Sequence, residues 1–191
     1  MLEYRRRRFV MKKLLVLVVL VLAVIAFGIK PILAADPGVS ITFGGEEPVS
    51  DGLALSMTDP EGDGPISLEG GFLSSVLNKH YPNRFIYFKV DDDYAKDMAE
   101  DTTAKVIIEV KDEGKGTLMV QYDSYVKGAP VDGAYGNSKS LRFTGAGGWL
   151  TLTFDLPKAR FVNRQNGDSD FRIQVMNRDF TLRKVTVISG E

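Results

Sequence analysis

The side chains that could do chemistry in this chain are carboxylates, a single histidine, and a group of aromatic and amide residues. His80 is the only histidine, and there is no cysteine. A Ser–His–Asp triad would need a positioned serine, and no GxSxG motif occurs, while the lack of cysteine excludes thiol catalysis, disulfides and cysteine-based zinc sites. Glycosidase chemistry needs only two carboxylates at a set separation. A chain with 25 acidic residues can meet that condition by chance, so it is no evidence for such an enzyme. We therefore predict no enzyme and no catalytic residue.

Two acidic clusters have the residue types that a hard cation prefers. They are Asp91-Asp92-Asp93 and Asp168–Asp170. Carboxylate oxygens suit Ca²⁺, but neither cluster has the spacing of an EF-hand loop. We favour an ordinary solvated acidic loop for each cluster and assign no metal ligand, with a structural calcium ion as the alternative.

Three aromatic side chains are candidates for contact with a sugar ring. Trp149 is the only tryptophan, and its place in the strand alternation puts it off the core-facing set. Its flat ring could stack on a sugar, although a tryptophan that caps the end of the core is the interpretation we favour. Tyr125 and Tyr135 lie in and around a glycine-containing loop, and loops at the end of a sandwich commonly carry binding residues. We favour a surface loop whose aromatic rings lie over the core, with binding as the alternative.

A polar segment supplies the remaining candidates, Asn163, Arg164 and Asn166. Amides and a guanidinium in fixed geometry suit sugar hydroxyls or a carboxylated sugar. The same side chains can instead satisfy buried backbone groups and fix the connection between two strands, and we favour that structural role. The predicted ligand-binding residues are thus Trp149, Tyr125, Tyr135, Asn163, Arg164 and Asn166.

Short alternating strands must position these residues. Hydrophobic side chains recur with a period of two in Arg84–Val90, Lys105–Val110, Thr117–Tyr122, Lys139–Phe143, Trp149–Leu156 and Asp170–Val175. This pattern is typical of antiparallel strands with one solvated face. In the last strand, Phe180–Ile188, the phase slips at Arg183–Lys184, which predicts a β-bulge. We predict an all-β fold, an antiparallel β-sandwich of the jelly-roll type.

Two segments leave alternatives open. Phe85 and Tyr87 face away from the core set of their strand, so either both faces of that strand are covered, which we favour, or Tyr87 belongs to a concave binding surface. Leu68–His80 is predicted to be a loop or to hold one short helix over Leu73–Asn78.

The N-terminal sequence predicts an export signal. Arg5–Arg8 and two lysines precede the apolar run Leu14–Ile29, and Leu33-Ala34-Ala35 offers a cleavage point. We predict a signal peptide or an uncleaved membrane anchor in 1–35, a strand with loop or linker in 36–64, and the sandwich in 65–191. The protein would then be secreted, or anchored to the outer face of the cytoplasmic membrane by this helix alone. Met11 is an alternative start.

The charge of the exported part excludes some partners. Residues 1–35 hold seven of the 24 basic and one of the 25 acidic residues, so residues 36–191 carry 17 basic and 24 acidic side chains, a net charge of −7. An acidic domain lacks the basic face that nucleic acid requires, and anionic lipid would repel it. We therefore predict no nucleic-acid partner.

Several segments together resemble a bacterial secreted jelly-roll module of the galactose-binding-like, carbohydrate-binding-module type. They are YFKVDDDY (Tyr87–Tyr94), KDEGKGTLMVQYDS (Lys111–Ser124), FTGAGGWLTLTFDLPKARFVNRQNGDSDFRI (Phe143–Ile173) and LRKVTV (Leu182–Val187). The resemblance implies a non-catalytic β-sandwich, often attached to glycan-active or surface proteins, and often with a structural Ca²⁺. We predict a secreted carbohydrate-binding-like module that contacts extracellular or cell-surface glycan or polysaccharide and needs no cofactor. The alternative is a structural or adhesive envelope protein that uses the sandwich for contact with other proteins.

Overall fold

The computed structural model describes residues 38–56, 62–96 and 98–190. The predicted signal helix or anchor in 1–35 lies outside the described residues. Within the described ranges, no helix has the length and apolar character needed to cross a membrane.

The first of two sheets has seven strands. They are β1 (Val39–Thr42), β2 (Val49–Asp51), β4 (Ser67–Glu69), β5 (Phe72–Ser75), β7 (Thr103–Lys111), β11 (Trp149–Pro157) and β13 (Phe180–Ser189). Their order is β11-β7-β13-β1-β2, and β5 pairs with the start of β13 and carries β4 on its other edge. All of these pairings are antiparallel.

The second sheet has six strands, also antiparallel. They are β3 (Leu53–Leu55), β6 (Asn83–Val90), β8 (Thr117–Tyr122), β9 (Gly136–Asn137), β10 (Leu141–Arg142) and β12 (Phe171–Met176). The order is β10-β8-β12-β6-β3, and β9 pairs with the end of β8. Among the described residues there is one short helix, α1 (Asp92–Ala95), which follows β6.

The two sheets share one hydrophobic core built from alternate residues of each strand. In β8 the buried side chains are Leu118, Val120 and Tyr122, and in β12 they are Phe171, Ile173 and Val175. Burial of each large apolar side chain contributes about 1.5–3 kcal/mol relative to an exposed one. The prediction of an all-β fold with antiparallel sheets is therefore confirmed. The fold is stabilised because the alternating apolar side chains of each strand are buried between the sheets.

The predicted bulge is also confirmed. The pairing of β13 with β7 shifts between Leu182 and Lys184, so Arg183 is the extra residue on β13. Its carbonyl accepts a hydrogen bond from the Phe43 N–H at 2.8 Å. Beyond the bulge, Val185 and Val187 return to the core. The shift lets both halves of a ten-residue strand bury their apolar side chains.

The alternative of a short helix over Leu73–Asn78 was wrong, because the chain forms the β4–β5 hairpin there. Gly70 and Gly71 link the two strands with φ angles of 57° and 80°. Two successive positive φ angles define the type I′ turn, which glycine adopts without steric cost. Earlier in the chain, β1 joins the first sheet and β3 joins the second, so the segment before residue 56 contributes to both.

Candidate functional site

The outer face of the second sheet carries a continuous line of polar side chains, here called the polar row: Asn137, Gln121, Arg172 and Tyr87. These residues occupy facing positions on β9, β8, β12 and β6. Because they alternate with the core residues of their strands, all four side chains leave the sheet on the side opposite the core. The strand register thus places four hydrogen-bonding groups side by side.

Each member of the polar row is bonded to the next. The Gln121 amide donates to Asn137 Oδ1 at 2.8 Å, and Arg172 Nε donates to Gln121 Oε1 at 2.7 Å. Arg172 Nη1 donates to the Tyr87 hydroxyl at 2.5 Å. Bonds between neighbours fix the rotamers of these side chains, so the row is organised before any ligand arrives.

Tyr87 anchors the inner end of the row. Its side chain is fully buried, and its hydroxyl donates to Asp63 Oδ1 at 3.1 Å. Burial, only partly offset by the hydrogen bond from Arg172, raises the pKa of Tyr87 to about 12. Tyr87 therefore stays a neutral hydroxyl at physiological pH. The interpretation that both faces of β6 are covered at this residue is confirmed.

Arg172 is the centre of the site. Its guanidinium carbon lies 3.9 Å from the centre of the Phe85 ring and 4.4 Å from that of Tyr135. Contact with the flat faces of aromatic rings favours a guanidinium, which is planar and weakly hydrated. Its Nε and Nη1 have partners, whereas Nη2 donates no hydrogen bond within the described part of the chain. A charged donor is therefore available on a half-exposed surface.

A second row lies one step along the same strands and is less polar. It consists of Met119, Gln174 and Phe85, which face one another on β8, β12 and β6. All three side chains are half-buried. The outer face thus combines an apolar strip with a parallel strip of fixed donors and acceptors.

Two of the residues predicted from the sequence, Tyr135 and Asn166, meet at this face. The Tyr135 hydroxyl donates to Asn166 Oδ1 at 3.0 Å and accepts from the Asn166 backbone N–H at 3.1 Å. The Asn166 amide also reaches the Tyr87 hydroxyl at 3.4 Å. The two loops that carry these residues are therefore tied together beside the polar row.

Arg164 does not lie at this face; its side chain instead binds the buried carboxylate of Asp123 at the inner end of its loop. Its guanidinium donates to both carboxylate oxygens of Asp123, at 2.5 to 3.2 Å, and to the Asp132 carbonyl at 3.1 Å. The side chain of Asp123 is completely buried, and its hydrogen bond raises the pKa of Arg164 above the usual value. These contacts correspond to the structural role favoured for this loop.

Asn163 is used in a similar way. Its backbone has a φ of 61°, its N–H donates to Asp170 Oδ1 at 2.7 Å, and its side-chain amide donates to Asp92 Oδ1 at 2.8 Å. Asp170 is fully buried and accepts a second hydrogen bond from the Val90 N–H at 2.9 Å. The two residues join α1 and β6 to the connection before β12.

Asp170 gives the fold a predictable dependence on pH. Burial, partly opposed by its two backbone hydrogen bonds and reinforced by the charges of Asp123 and Asp92, raises the pKa of Asp170 to about 6. A carboxyl group with a raised pKa in the folded state stabilises the fold at low pH, and that contribution is lost as the pH rises through about 6. In Asp170→Asn we expect the free energy of unfolding, relative to the original protein, to increase by on the order of 3 kcal/mol between about pH 4 and about pH 7.5.

Denaturant unfolding across that pH range measures the difference. The amide also costs one backbone acceptor, but this loss is independent of pH and leaves the slope unchanged. Asp168→Asn is the matched control, since Asp168 is exposed and has a φ of 54° that asparagine tolerates. A difference between Asp170→Asn and the original protein that is flat with pH would contradict the expectation.

Trp149 lies on the other sheet. Its ring centre is 5.2 Å from that of Phe72 and 4.6 Å from the Arg183 guanidinium, on the outer face of the first sheet. Arg183 in turn donates to Glu109 Oε2 at 2.6 Å. The half-buried Trp149 is thus separated by the whole core from the polar row.

Tyr125 lies in a third place, just beyond the end of β8. Its N–H donates to the Lys158 carbonyl at 2.9 Å, and the Arg160 guanidinium packs 5.0 Å from its ring centre. The six predicted residues are therefore divided among the outer faces of both sheets, one end of the sandwich and a structural connection.

The acidic clusters take part in local structure. Asp91 caps α1 by accepting hydrogen bonds from the Asp93 and Tyr94 N–H groups. Asp93 pairs with Lys96 at 3.1 Å. Within residues 38–56, 62–96 and 98–190, no group of three or more acidic or histidine side chains is arranged to hold a metal ion. A structural calcium ion stays a prediction.

Arg172 and Gln121, at the centre of the outer face, were not predicted from the sequence as site residues, and neither was Gln174. A signal was present, because the alternation placed Arg172 and Gln174 outside the core and set Phe85 and Tyr87 on the opposite face of their strand. The sequence did not show which of these residues face one another across the strands.

The chain is similar to solved carbohydrate-binding modules and to an adhesin domain. BiXyn10A CBM1 in its apo form matches with a TM-score of 0.45 and 10% identity over 78% of this chain and 95% of that one. A family 29 carbohydrate-binding module complexed with mannohexaose matches with a TM-score of 0.44 and 10% identity, over 79% and 90%. The adhesin domain of Lys-gingipain from Porphyromonas gingivalis W83 matches with a TM-score of 0.42 and 12% identity, over 81% and 98%.

No protein-family model matches the sequence, and no curated protein matches it either. These similarities identify no ligand for this chain.

Proposed function

We propose that this chain is a non-catalytic carbohydrate-binding module that holds a glycan on the outer face of its second sheet. The observation that carries the proposal is the polar row beside the half-exposed second row. At the centre of the polar row is Arg172 Nη2, which has no hydrogen-bond partner among the described residues. A sugar presents hydroxyl groups around its edge and apolar C–H groups on its faces. The polar row supplies donors and acceptors for the hydroxyls, and Phe85 and Met119 supply apolar contact.

The dimensions of the face favour an oligosaccharide over a single sugar. Because Tyr87 is fully buried, the accessible members of the row are Asn137, Gln121 and Arg172. Neighbouring strands lie about 4.8 Å apart, so these three residues extend over roughly 10 Å. The accessible functional groups on it are two amides and a guanidinium. Such groups hold hydroxyls in place at neutral pH and do not exchange protons with them, in keeping with binding without catalysis.

The cellular location in this proposal rests on the N-terminal sequence. The basic residues, the apolar run and the small residues before position 36 support export, with the module in the secreted fraction or on the outer face of the cytoplasmic membrane. A jelly-roll connectivity of the sandwich is part of the same proposal. An acidic exported module of this kind would meet polysaccharide outside the cell.

Binding of the purified full chain to a panel of soluble polysaccharides tests the proposal. We expect Phe85→Ala to weaken binding about tenfold or more, because it removes apolar contact and the support of Arg172. Trp149→Ala is the matched control, since Trp149 is a half-buried aromatic that also packs on an arginine, but on the other sheet.

Loss of binding in Trp149→Ala with full retention in Phe85→Ala would move the site to the first sheet. Failure of the original protein to bind any polysaccharide would overturn the proposal and leave the structural or adhesive protein as the interpretation.

A further inference from the structure

A cavity of about 510 Å³ opens at the end of the sandwich where β8 and β11 finish. It is lined by Glu100, Tyr125, Val126, Lys127, Pro157 and Lys158. Its volume lies within the range of small-molecule sites, about 300–1,000 Å³. It shares no residue with the polar row, so it is a second and separate place where a ligand could bind.

The walls of this cavity are fixed by hydrogen bonds between two chain segments. The Tyr125 N–H donates to the Lys158 carbonyl at 2.9 Å, and the Arg160 N–H donates to the Asp123 carbonyl at 2.9 Å. The Tyr122 hydroxyl donates to the Pro157 carbonyl at 2.9 Å. A ligand would therefore meet walls that are already in place and lose little affinity to ordering them.

The backbone at Lys158 is unusual. Its φ is 58°, in the left-handed region that residues other than glycine, asparagine and aspartate rarely occupy. The surrounding bonds hold it there, since its carbonyl accepts from Tyr125 and the next residue, Ala159, forms a bridge with Ser124. Strained backbone that persists at the rim of a cavity is a recurrent property of binding sites.

The charges at the cavity are mainly positive, although residues 36–191 carry a net charge of −7. Lys127 and Lys158 are exposed and form no ion pair within the described residues. Arg160 packs on the Tyr125 ring, and its buried Nε has no hydrogen-bond partner there. Glu100 is the acid among the lining residues and can accept hydrogen bonds from hydroxyl groups.

We propose that this cavity binds an anionic sugar residue, with the carboxylate or sulfate held between Lys127 and Lys158 and the ring against Tyr125. Lysine provides point charges for such groups, and the tyrosine ring provides a flat apolar surface beside a polar hydroxyl. The proposal is independent of the outer-face site, since each could exist without the other.

Titration of the full chain with oligogalacturonate, a sulfated galactan oligosaccharide and a neutral oligosaccharide tests it. We expect the double variant Lys127→Gln/Lys158→Asn to bind the anionic probes about tenfold or more weakly than the original protein, and the neutral probe unchanged. Asparagine is chosen at position 158 because it tolerates a positive φ. Raising NaCl from about 50 to about 500 mM should weaken only the anionic probes.

The charge-matched control is Lys79→Gln/Lys115→Gln. Both lysines are exposed and precede β6 and β8, whereas the cavity follows β8, so they lie at the opposite end of the sandwich. Preference for the carboxylated or for the sulfated probe identifies the anion. Equal losses in both double variants, or no anionic binding above the neutral probe, would overturn the proposal. Unchanged anionic binding in Phe85→Ala would separate this site from the outer face.

Discussion

Glycan binding is expected to fall about a hundredfold or more when Arg172 is replaced by methionine, a loss of about 2.7 kcal/mol. Methionine keeps an apolar stem but removes the guanidinium, together with its contacts to the Phe85 and Tyr135 rings and its bonds to Gln121 and Tyr87. The glycan would lose a charged donor, and the polar row would lose its central connection. Isothermal titration with the tightest polysaccharide of the panel measures the effect.

Two further variants sharpen this result. Arg172→Lys should also bind weakly, because an ammonium group cannot reproduce the planar fork that bonds to two neighbours and lies on aromatic rings. Arg183→Met is the matched control, since Arg183 also packs on an aromatic ring and bonds to one neighbour, but on the first sheet. Affinity that survives in Arg172→Met and disappears in Arg183→Met would place the glycan on the wrong sheet for our proposal.

Replacing Arg164 by leucine is expected to lower the free energy of unfolding by about 3–5 kcal/mol. The carboxylate of Asp123 is completely buried, and Arg164 is its cationic partner. Without the guanidinium, the buried carboxylate keeps a single hydrogen bond from the described residues, the long one of 3.3 Å that the Val162 backbone N–H donates. An uncompensated buried charge is among the most destabilising changes that a single substitution can make. Chemical denaturation at neutral pH measures the loss.

The control for this prediction is a surface ion pair. Lys111 and Glu113 are 2.5 Å apart with about two fifths of each side chain exposed, so Lys111→Gln should cost no more than about 1 kcal/mol. Adding Asp123→Asn to Arg164→Leu should restore part of the lost stability, because the buried charge is then gone. A loss below about 1 kcal/mol in Arg164→Leu would show that this buried pair does not hold the connection.

Much of the fold could be predicted because its signals are local. A side chain's direction from a strand depends on whether its position is odd or even, so Leu118, Val120 and Tyr122 were assigned to the core directly from their spacing. The phase slip at Arg183–Lys184 predicted the bulge for the same reason. The Leu68–His80 segment was harder, since its hairpin strands have only three and four residues and show no period.

The candidate site depends on contacts between distant parts of the chain. Arg172 reaches Gln121 and Tyr87 across 51 and 85 residues, and Arg164 reaches Asp123 across 41. Asn163, Arg164 and Asn166 are polar residues of one short segment, yet their roles differ. Asn163 bonds to Asp92 in α1, Arg164 neutralises the buried Asp123, and Asn166 lies at the outer face beside Tyr87. No local pattern distinguishes these roles, because each is set by the partner.

The sequence by itself determined that the chain forms antiparallel strands, which alternate side chains of these strands face the core, and where the last strand bulges. These properties follow from the two-residue repeat of an extended backbone and the free energy of burying apolar side chains. Only the tertiary structure decided that Arg172 stands between Gln121 and Tyr87, and that Trp149 lies on the opposite sheet. Register and sheet order are set by the packing of the whole core, so the surface that the strands assemble exists only once they are paired.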